Sequence, residues 1–360
     1  MKNLKLIGFL MILASSLMFI QCTSDPIAGP QGLAGADGIN GIDGVNGVNG
    51  VNGVDGTASC VACHSDSHRT PINESYAMSG HATGTSFARG TSSSCAQCHG
   101  SEGYIGYVAT GTPAIVDSPS PFSCVTCHES HSTFDFENDG HDYALRSFDP
   151  VTLVIDDATV VDFGGTSNNC ITCHQPRNSY AVPGPTDDYT ITSYRFGPHH
   201  GPQGTLVEGI MGANIAGNSG YPGVGSSTHR TGASCVSCHM GASTDTSKGL
   251  HSWSPTAASC TTCHTNGAPA DVMVETGKTF TQGMEELHNL LLAQNYIDES
   301  GYVLGGDGVN RAGSSNPLVA PAKVAQAIWN YKTLEEDKSH GVHNPGYAKA
   351  LLKNSIEALQ

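Results

Sequence analysis

The chain has 360 residues, with Lys+Arg 16 against Asp+Glu 32 and a formal net charge of −16. Only 13% of residues are charged and 38% are hydrophobic, while Gly 44 and Pro 18 mark a loop-rich chain rather than an α/β enzyme with a large aliphatic core. The acidic balance excludes nucleic acid as a partner, because no basic patch exists to release phosphate counterions.

The first 22 residues carry an export signal. Met1 to Lys5 is a short basic start, and Leu6 to Ile20 is an apolar run of signal-peptide length, too short for a membrane span. Cys22 follows at once and resembles the lipidation cysteine of a bacterial lipoprotein, although Phe19-Ile20-Gln21 stands where small residues are usual. Lipidated or simply cleaved, the mature chain is expected outside the cytoplasm, in the periplasm or at the outer membrane or cell surface. Residues 23–57 form a spacer in which glycine falls at every third position from Gly29 to Gly56. That period is collagen-like, since only glycine fits the axis of a triple helix, but Pro30 is the one proline inside the run. As polyproline-like helix the run would reach roughly 87 Å, and as Gly-rich coil about 30 Å. Both forms hold the rest of the chain off a membrane surface, and only the first implies a trimer.

Beyond the spacer every cysteine belongs to a C-x-x-C-H motif. The thiols are Cys60 and Cys63, Cys95 and Cys98, Cys124 and Cys127, Cys170 and Cys173, Cys235 and Cys238, and Cys260 and Cys263. The histidines that close the motifs are His64, His99, His128, His174, His239 and His264. This is the attachment signature of c-type haem. Two thiols one turn apart form thioethers with the two vinyl groups of one porphyrin, and the next residue lies beneath the iron. Zinc would not require a histidine after every second cysteine, and neighbouring C-x-x-C disulfides are labile rather than structural. The cofactor expected is six covalently bound haem c.

Six irons closed to exchange need six further ligands. Of 17 histidines the motifs use six, leaving His68, His81, His131, His141, His199, His200, His229, His251, His288, His340 and His343. The methionines beyond the signal region, Met78, Met211, Met240, Met273 and Met284, read as packing residues, so imidazole on both faces fits best. Context selects His81, His131, one of the pair His199 and His200, His229, His251 and His343 as the distal set. His131 follows His128 by three residues and cannot pass the edge of its own porphyrin, so it belongs to a neighbouring site. The same argument applies to His68 and His64.

The fold expected is a multihaem cytochrome c: irregular loops and short helices around stacked haems, few short strands and a C-terminal helical cap. Residues 58–270 form the hexahaem domain and 271–360 the cap, which supplies His343. Within the first, Val151 to Phe163 reads as two short β segments around Asp156-Asp157, and Asp187 to Tyr194 as a further strand. Apolar spacing predicts helices over Thr279 to Asn295, over Pro321 to Leu334, and from Asn344-Pro345 onward. So little protein per porphyrin implies that haem stands in for an aliphatic core.

These motifs resemble the bis-histidine multihaem c-type cytochromes of bacteria. The resemblance rests on Ser79 to Ala82 before a motif, the Cys124 to His131 unit, the Gly197 to Gln203 turn and the Gly341 to Pro345 helix start, in that order. It covers about residues 57–360 and implies electron transfer through stacked haems, without settling the partner. The partners expected are redox proteins: a quinol-oxidising membrane complex, a terminal reductase or a surface acceptor. A lipid anchor at Cys22 and self-association, as a trimer or filament, are further expectations. The alternative is a reductase or oxidase of small nitrogen or sulfur compounds with one open haem. Related nitrite reductases mark that haem with Lys in place of the motif histidine, and all six motifs here end in His.

Overall fold

Apolar side chains gather in the last quarter of the chain, and the fold follows that asymmetry. A computed structural model describes residues 58–131, 143–177, 180–268 and 271–360. The export signal, Cys22, the glycine-repeat spacer and His141 lie outside the described residues.

Helices α1 (Ala58–His64) and α2 (Asp66–Ala77) open the described chain, and α3 (Ser101–Thr110) follows the second motif. The sequence reading expects only single turns in this region, so α2 and α3 are longer than anticipated. The remaining motifs are single turns: Ser93–Ala96, Cys124–Cys127, Asn168–Ile171, Cys235–His239 and Ala257–Thr261. Strands β1 (Val151–Thr152) and β2 (Val160–Val161) pair antiparallel, Val151 opposite Val161, around a turn that Asp156 ties by accepting from the N–H of Ala158 and Thr159. They fold over a small cluster of Leu153, Phe163, Ile171 and Val207. Strand β3 (Tyr189–Ile191) lies within the predicted stretch, but its partner, β6 (Leu318–Ala320), comes from far along the chain. Helix α4 (Gln203–Glu208) follows the Gly197 to Gln203 turn.

After a tight hairpin of β4 (Met273–Glu275) and β5 (Lys278–Thr279) come three long helices, α5 (Phe280–Ala293), α6 (Ala322–Asp337) and α7 (Pro345–Leu359). Each begins where its sequence says it should. The hydroxyl of Thr279 accepts from the N–H of Gln282, whose side chain accepts in return from the N–H of Thr279. Pro321 precedes α6, and the side chain of Asn344 accepts from the N–H of Tyr347 ahead of Pro345. Helices α5 and α7 meet at Gly283, where any Cβ would stand 2.8 Å from Leu352 Cδ2.

Trp329, Ile328, Leu287, Leu291, Leu351 and Leu352, all fully buried, centre an aliphatic core that also takes in Ile191, Phe196 and Leu206. This core lies mainly in residues 271–360, outside the motif region for which the sequence reading expects haem in place of an aliphatic core. The apolar residues are few, but periodic helices concentrate them at one end. Buried amides stitch the 211–219 segment to that core. Asn330 accepts the N–H of Ala213 at 2.8 Å and donates to its carbonyl at 2.8 Å. Asn354 donates to the carbonyls of Ile215 and Ser219, and Trp329 Nε1 donates to the carbonyl of Met211 at 2.9 Å. Among the described residues no helix is long and apolar enough to cross a membrane.

Candidate haem sites

Each motif is closed by one helical turn, which fixes its histidine relative to its thiols. The N–H of His99, His128, His174 and His264 donates to the carbonyl of the first cysteine of its own motif at 2.8–3.0 Å. Local capping sets where the turn begins: the N–H of Ser123 donates to Thr126 Oγ1 at 2.9 Å, and that of Ser259 to Thr256 Oγ1 at 3.0 Å.

Five motif histidines face one further imidazole. Ring centroids are 6.1 Å apart for His64 and His131, 6.2 Å for His174 and His81, and 6.2 Å for His128 and His251. They are 6.1 Å apart for His264 and His229, and 6.1 Å for His239 and His343. This separation is far too wide for ring contact through van der Waals packing of flat faces. Two metal–imidazole bonds of about 2 Å, with about 1 Å from each nitrogen to its ring centre, come to roughly 6 Å. His99 sits instead in the electrostatic field of both His199 and His200, whose own rings are 4.5 Å apart. His68 lies on the exposed face of α2, His288 Nδ1 is 2.9 Å from Tyr331 Oη, and His340 Nδ1 is 3.0 Å from Thr281 Oγ1.

The second nitrogen of six of these rings is occupied, which aims the first. Nδ1 of His128 donates to the carbonyl of Tyr143 at 2.7 Å, that of His239 to the carbonyl of Trp253 at 2.8 Å, and that of His229 to the carbonyl of Val342. His174 Nδ1 faces Gln203 Oε1 at 3.3 Å, His200 Nδ1 faces Glu336 Oε2 at 2.9 Å, and His343 Nδ1 faces Asp337 Oδ1 at 2.6 Å. Such outer partners fix the tautomer and leave Nε2 as the donor. His251 Nδ1 is buried with no hydrogen-bond partner among the described residues. Burial first, and the facing His174 second, hold His81 down at about 4, and burial and His128 do the same for His251. Both are therefore neutral at neutral pH, the form that binds a metal. In His343 burial pulls the same way, but the charge of Asp337 and its hydrogen bond outweigh it and lift the imidazole.

The motifs touch in a defined order. His131, at the tail of the third motif, reaches the first. Tyr104 donates to Asn169 Oδ1, which lies beside Cys127, joining the third motif to the fourth. The thiols of Cys170 and Cys235 lie side by side, as do those of Cys98 and Cys173, so the fourth motif meets both the fifth and the second. Hydrogen bonding to the neighbouring thiol and then burial push Cys170 and Cys173 up. Cys238 feels Cys260 and Cys263 of the sixth. The order is first, third, fourth, fifth, sixth, with the second branching from the fourth. Cys63 and His64 at one end and Cys263 and His264 at the other are exposed, while Ala96, Ile171 and Thr172 inside are buried.

Helix α4 buttresses the centre of this order. The N–H of Gly204 donates to the carbonyl of His174 at 3.0 Å, and a Cβ there would stand 2.8 Å from that oxygen. Trp253 is a second junction. Its ring is 4.5 Å from His81 and 5.3 Å from His251, and its carbonyl holds His239. It sits at φ +53° in a loop closed by the N–H of Gly249 donating to the carbonyl of Ser254 at 2.7 Å. The sequence reading did not single out Trp253, Glu336 or Asp337; their roles depend on contacts from distant parts of the chain, which spacing does not reveal. Gln203 stood in the recognised turn without an assigned task.

The paired thiols and facing imidazoles of the donor set fit haem. Among the described residues no three His, Cys, Asp or Glu side chains converge on one point, as tetrahedral zinc requires. The thiols of the last five motifs form no disulfide.

No protein-family model and no curated protein matches the chain. Among solved structures it is similar to the outer cell wall cytochrome OcwA, with 19% identity and a TM-score of 0.48, over 79% of this chain and 50% of that one. It is also similar to an undecahaem cytochrome from the S-layer of Carboxydothermus ferrireducens, with 17% identity and a TM-score of 0.43, over 78% of this chain and 40% of that one. The chain thus spans half or less of the length of these two proteins.

Proposed function

We propose that the protein is an exported hexahaem c-type cytochrome that relays electrons and does not transform a substrate. The observation that carries this reading is the set of five motif histidines each facing one imidazole across 6.1–6.2 Å. A bound haem supplies a one-electron ferric–ferrous couple. The chain's part is to hold, orient and enclose it. The paired thiols of each motif anchor it. His64 with His131, His128 with His251, His174 with His81, His239 with His343, and His264 with His229 would hold it between them. His99 is paired with His199 or His200.

On this reading residues 58–270 are the hexahaem domain and 271–360 a cap that supports the sites from outside. The contact order of the motifs makes a branched conduit whose two ends, at His64 and His264, are the exposed ports. Those ports suit redox proteins such as a quinol-oxidising membrane complex, a terminal reductase or a surface acceptor. Lipidation at Cys22 would anchor the chain at the periplasmic or outer-membrane surface, with residues 23–57 as spacer and as the route to trimers or filaments.

Mass spectrometry and optical spectra of the purified holoprotein test the reading. Six covalent haems and a spectrum unmoved by nitrite, hydroxylamine or cyanide at modest concentration are expected. Fewer than six haems, or zinc, overturns the assignment. A spectral shift with any of the three ligands at about one sixth of the haem overturns the carrier role in favour of a reductase or oxidase with one open site.

A further inference from the structure

Trp253 stands where three of the imidazole pairs meet. Its ring centroid is 4.5 Å from that of His81 and 5.3 Å from that of His251, and the planes cross at 77° and 69°. Its carbonyl accepts the Nδ1 proton of His239 at 2.8 Å. His81 faces His174, His251 faces His128 and His239 faces His343, so one residue touches the fourth, third and fifth sites. Edge-to-face contact of this kind is an attractive arrangement of aromatic rings.

The chain around Trp253 keeps it there. Trp253 lies at φ +53° and Leu250 at φ +45°, left-handed conformations that bulky side chains adopt only when their surroundings impose them. Backbone hydrogen bonds impose them here. The N–H of Gly249 donates to the carbonyl of Ser254 at 2.7 Å, and that of Leu250 to the carbonyl of Gly241 at 3.1 Å. The N–H of His251 donates to Ser75 Oγ at 3.1 Å, and Ser75, fully buried on α2, donates in turn to the carbonyl of Ile72 at 3.0 Å. The next residue of that helix, Tyr76, sets its ring 6.2 Å from that of Trp253 at 80°. Its hydroxyl donates to the carbonyl of Phe122, whose ring is 5.6 Å from His81.

What this arrangement can fix is the rotation of each imidazole. The torsion that turns a histidine ring has broad wells, so rotamer preference leaves the angle open. A hydrogen bond at Nδ1 closes it for His239. His251 Nδ1 is buried with no partner among the described residues, so packing sets that ring, and the indole is part of the packing. His81 is flanked by the indole and by Phe122.

We propose that Trp253 is a positioning residue shared by three sites. Its ring sets the twist of His81 against His174 and of His251 against His128, and its carbonyl sets that of His239 against His343. This rests on the haem reading above, and the experiment separates the two.

Electron paramagnetic resonance of the fully oxidised holoprotein compares wild type with Trp253→Leu, Trp253→Phe and Gly249→Ala. Trp253→Leu removes the ring and keeps the carbonyl. It is expected to shift the g values of two of the six low-spin signals, one from the pair twisted by 73° and one from the pair twisted by 38°. Trp253→Phe keeps a smaller aromatic edge and should move the same two signals by less. A Cβ on Gly249 would stand 2.0 Å from the carbonyl oxygen of Gly241, so Gly249→Ala displaces the loop together with the Trp253 carbonyl. That variant should move a third signal as well, the one from His239 with His343. If Trp253→Leu does not fold, the milder Trp253→Phe carries the test on the same two signals. Six low-spin haems with unchanged g values in the Trp253 variants would overturn the proposal while leaving the haem reading intact. An equal drift of all six signals would overturn it too. Wild type without six low-spin haems would instead defeat the parent reading.

Discussion

The two ends of the described chain hold themselves together by different means. From α5 onward, three helices with apolar residues at helical spacing bury Trp329, Leu287, Leu351 and their neighbours as an ordinary aliphatic core. From α1 to the sixth motif the protein offers short turns, a six-residue apolar cluster under β1 and β2, and pairs of imidazoles held apart at a metal-bridging distance. The first region carries its stability in its own side chains. On the proposed reading the second is a set of ligands arranged around bound haem, and the cofactor there would be a structural element as well as a redox one.

The largest expected consequence follows from expressing the chain where haem is not attached. Hydrogen exchange should keep α5, α6, α7 and the β3–β6 pair protected, while the motif turns lose protection. Equal protection of both regions would erase the distinction. Next in size, Trp329→Ala should cost about 3–5 kcal/mol in denaturant unfolding, with the haem spectrum of the folded protein unchanged. A changed spectrum in the folded state would mean that the core and the sites are less separate than described.

A backbone contact gives a smaller test within the ligand region. A Cβ on Gly103 would stand 2.2 Å from the carbonyl oxygen of Ala96, whereas one on Gly106 in the same helix meets nothing within 4 Å. Gly103→Ala should therefore destabilise by about 1–3 kcal/mol, and Gly106→Ala should stabilise by about 0.4–1 kcal/mol, both read as midpoint shifts. Smallest is Glu102→Gln. The hydroxyl and then the N–H of Ser120 hold this exposed carboxyl below its ordinary value. Its contribution, a few tenths of a kcal/mol, is present above the unfolded pKa of about 4.3 and disappears as pH falls through the lowered folded value. A wild-type and variant difference that grew toward acid pH would contradict that sign.

Local chemistry is what the sequence discloses. The C-x-x-C-H turns, the capping residues Thr279 and Asn344, and the apolar spacing of α5 to α7 are each written within a few residues, and the elements stand where those residues imply. The argument that His131 must serve a neighbour needed only the length of a three-residue tether, and its ring does face His64. Contacts between remote segments were not legible. Nothing near Leu318 to Ala320 announces the pairing of β6 with β3, and nothing around Trp253 or Asp337 signals that each would meet an imidazole many residues away. The hydrogen bond that Glu336 accepts from His200 was equally closed to spacing, because it comes from another part of the chain.

The imidazole pairs also differ in twist, and that difference is measurable. The ring planes are nearly perpendicular, 73–74°, for His64 with His131, His81 with His174 and His229 with His264, but only 38–40° apart for His128 with His251 and His239 with His343. Perpendicular rings leave the ferric orbitals nearly degenerate and give a broad signal at large g, while smaller twists give an ordinary rhombic one. Electron paramagnetic resonance of the fully oxidised holoprotein should show only low-spin iron, divided between these two classes with at least half in the large-g class. A high-spin signal from one sixth of the iron or more would contradict the central claim that imidazole closes every site from both sides.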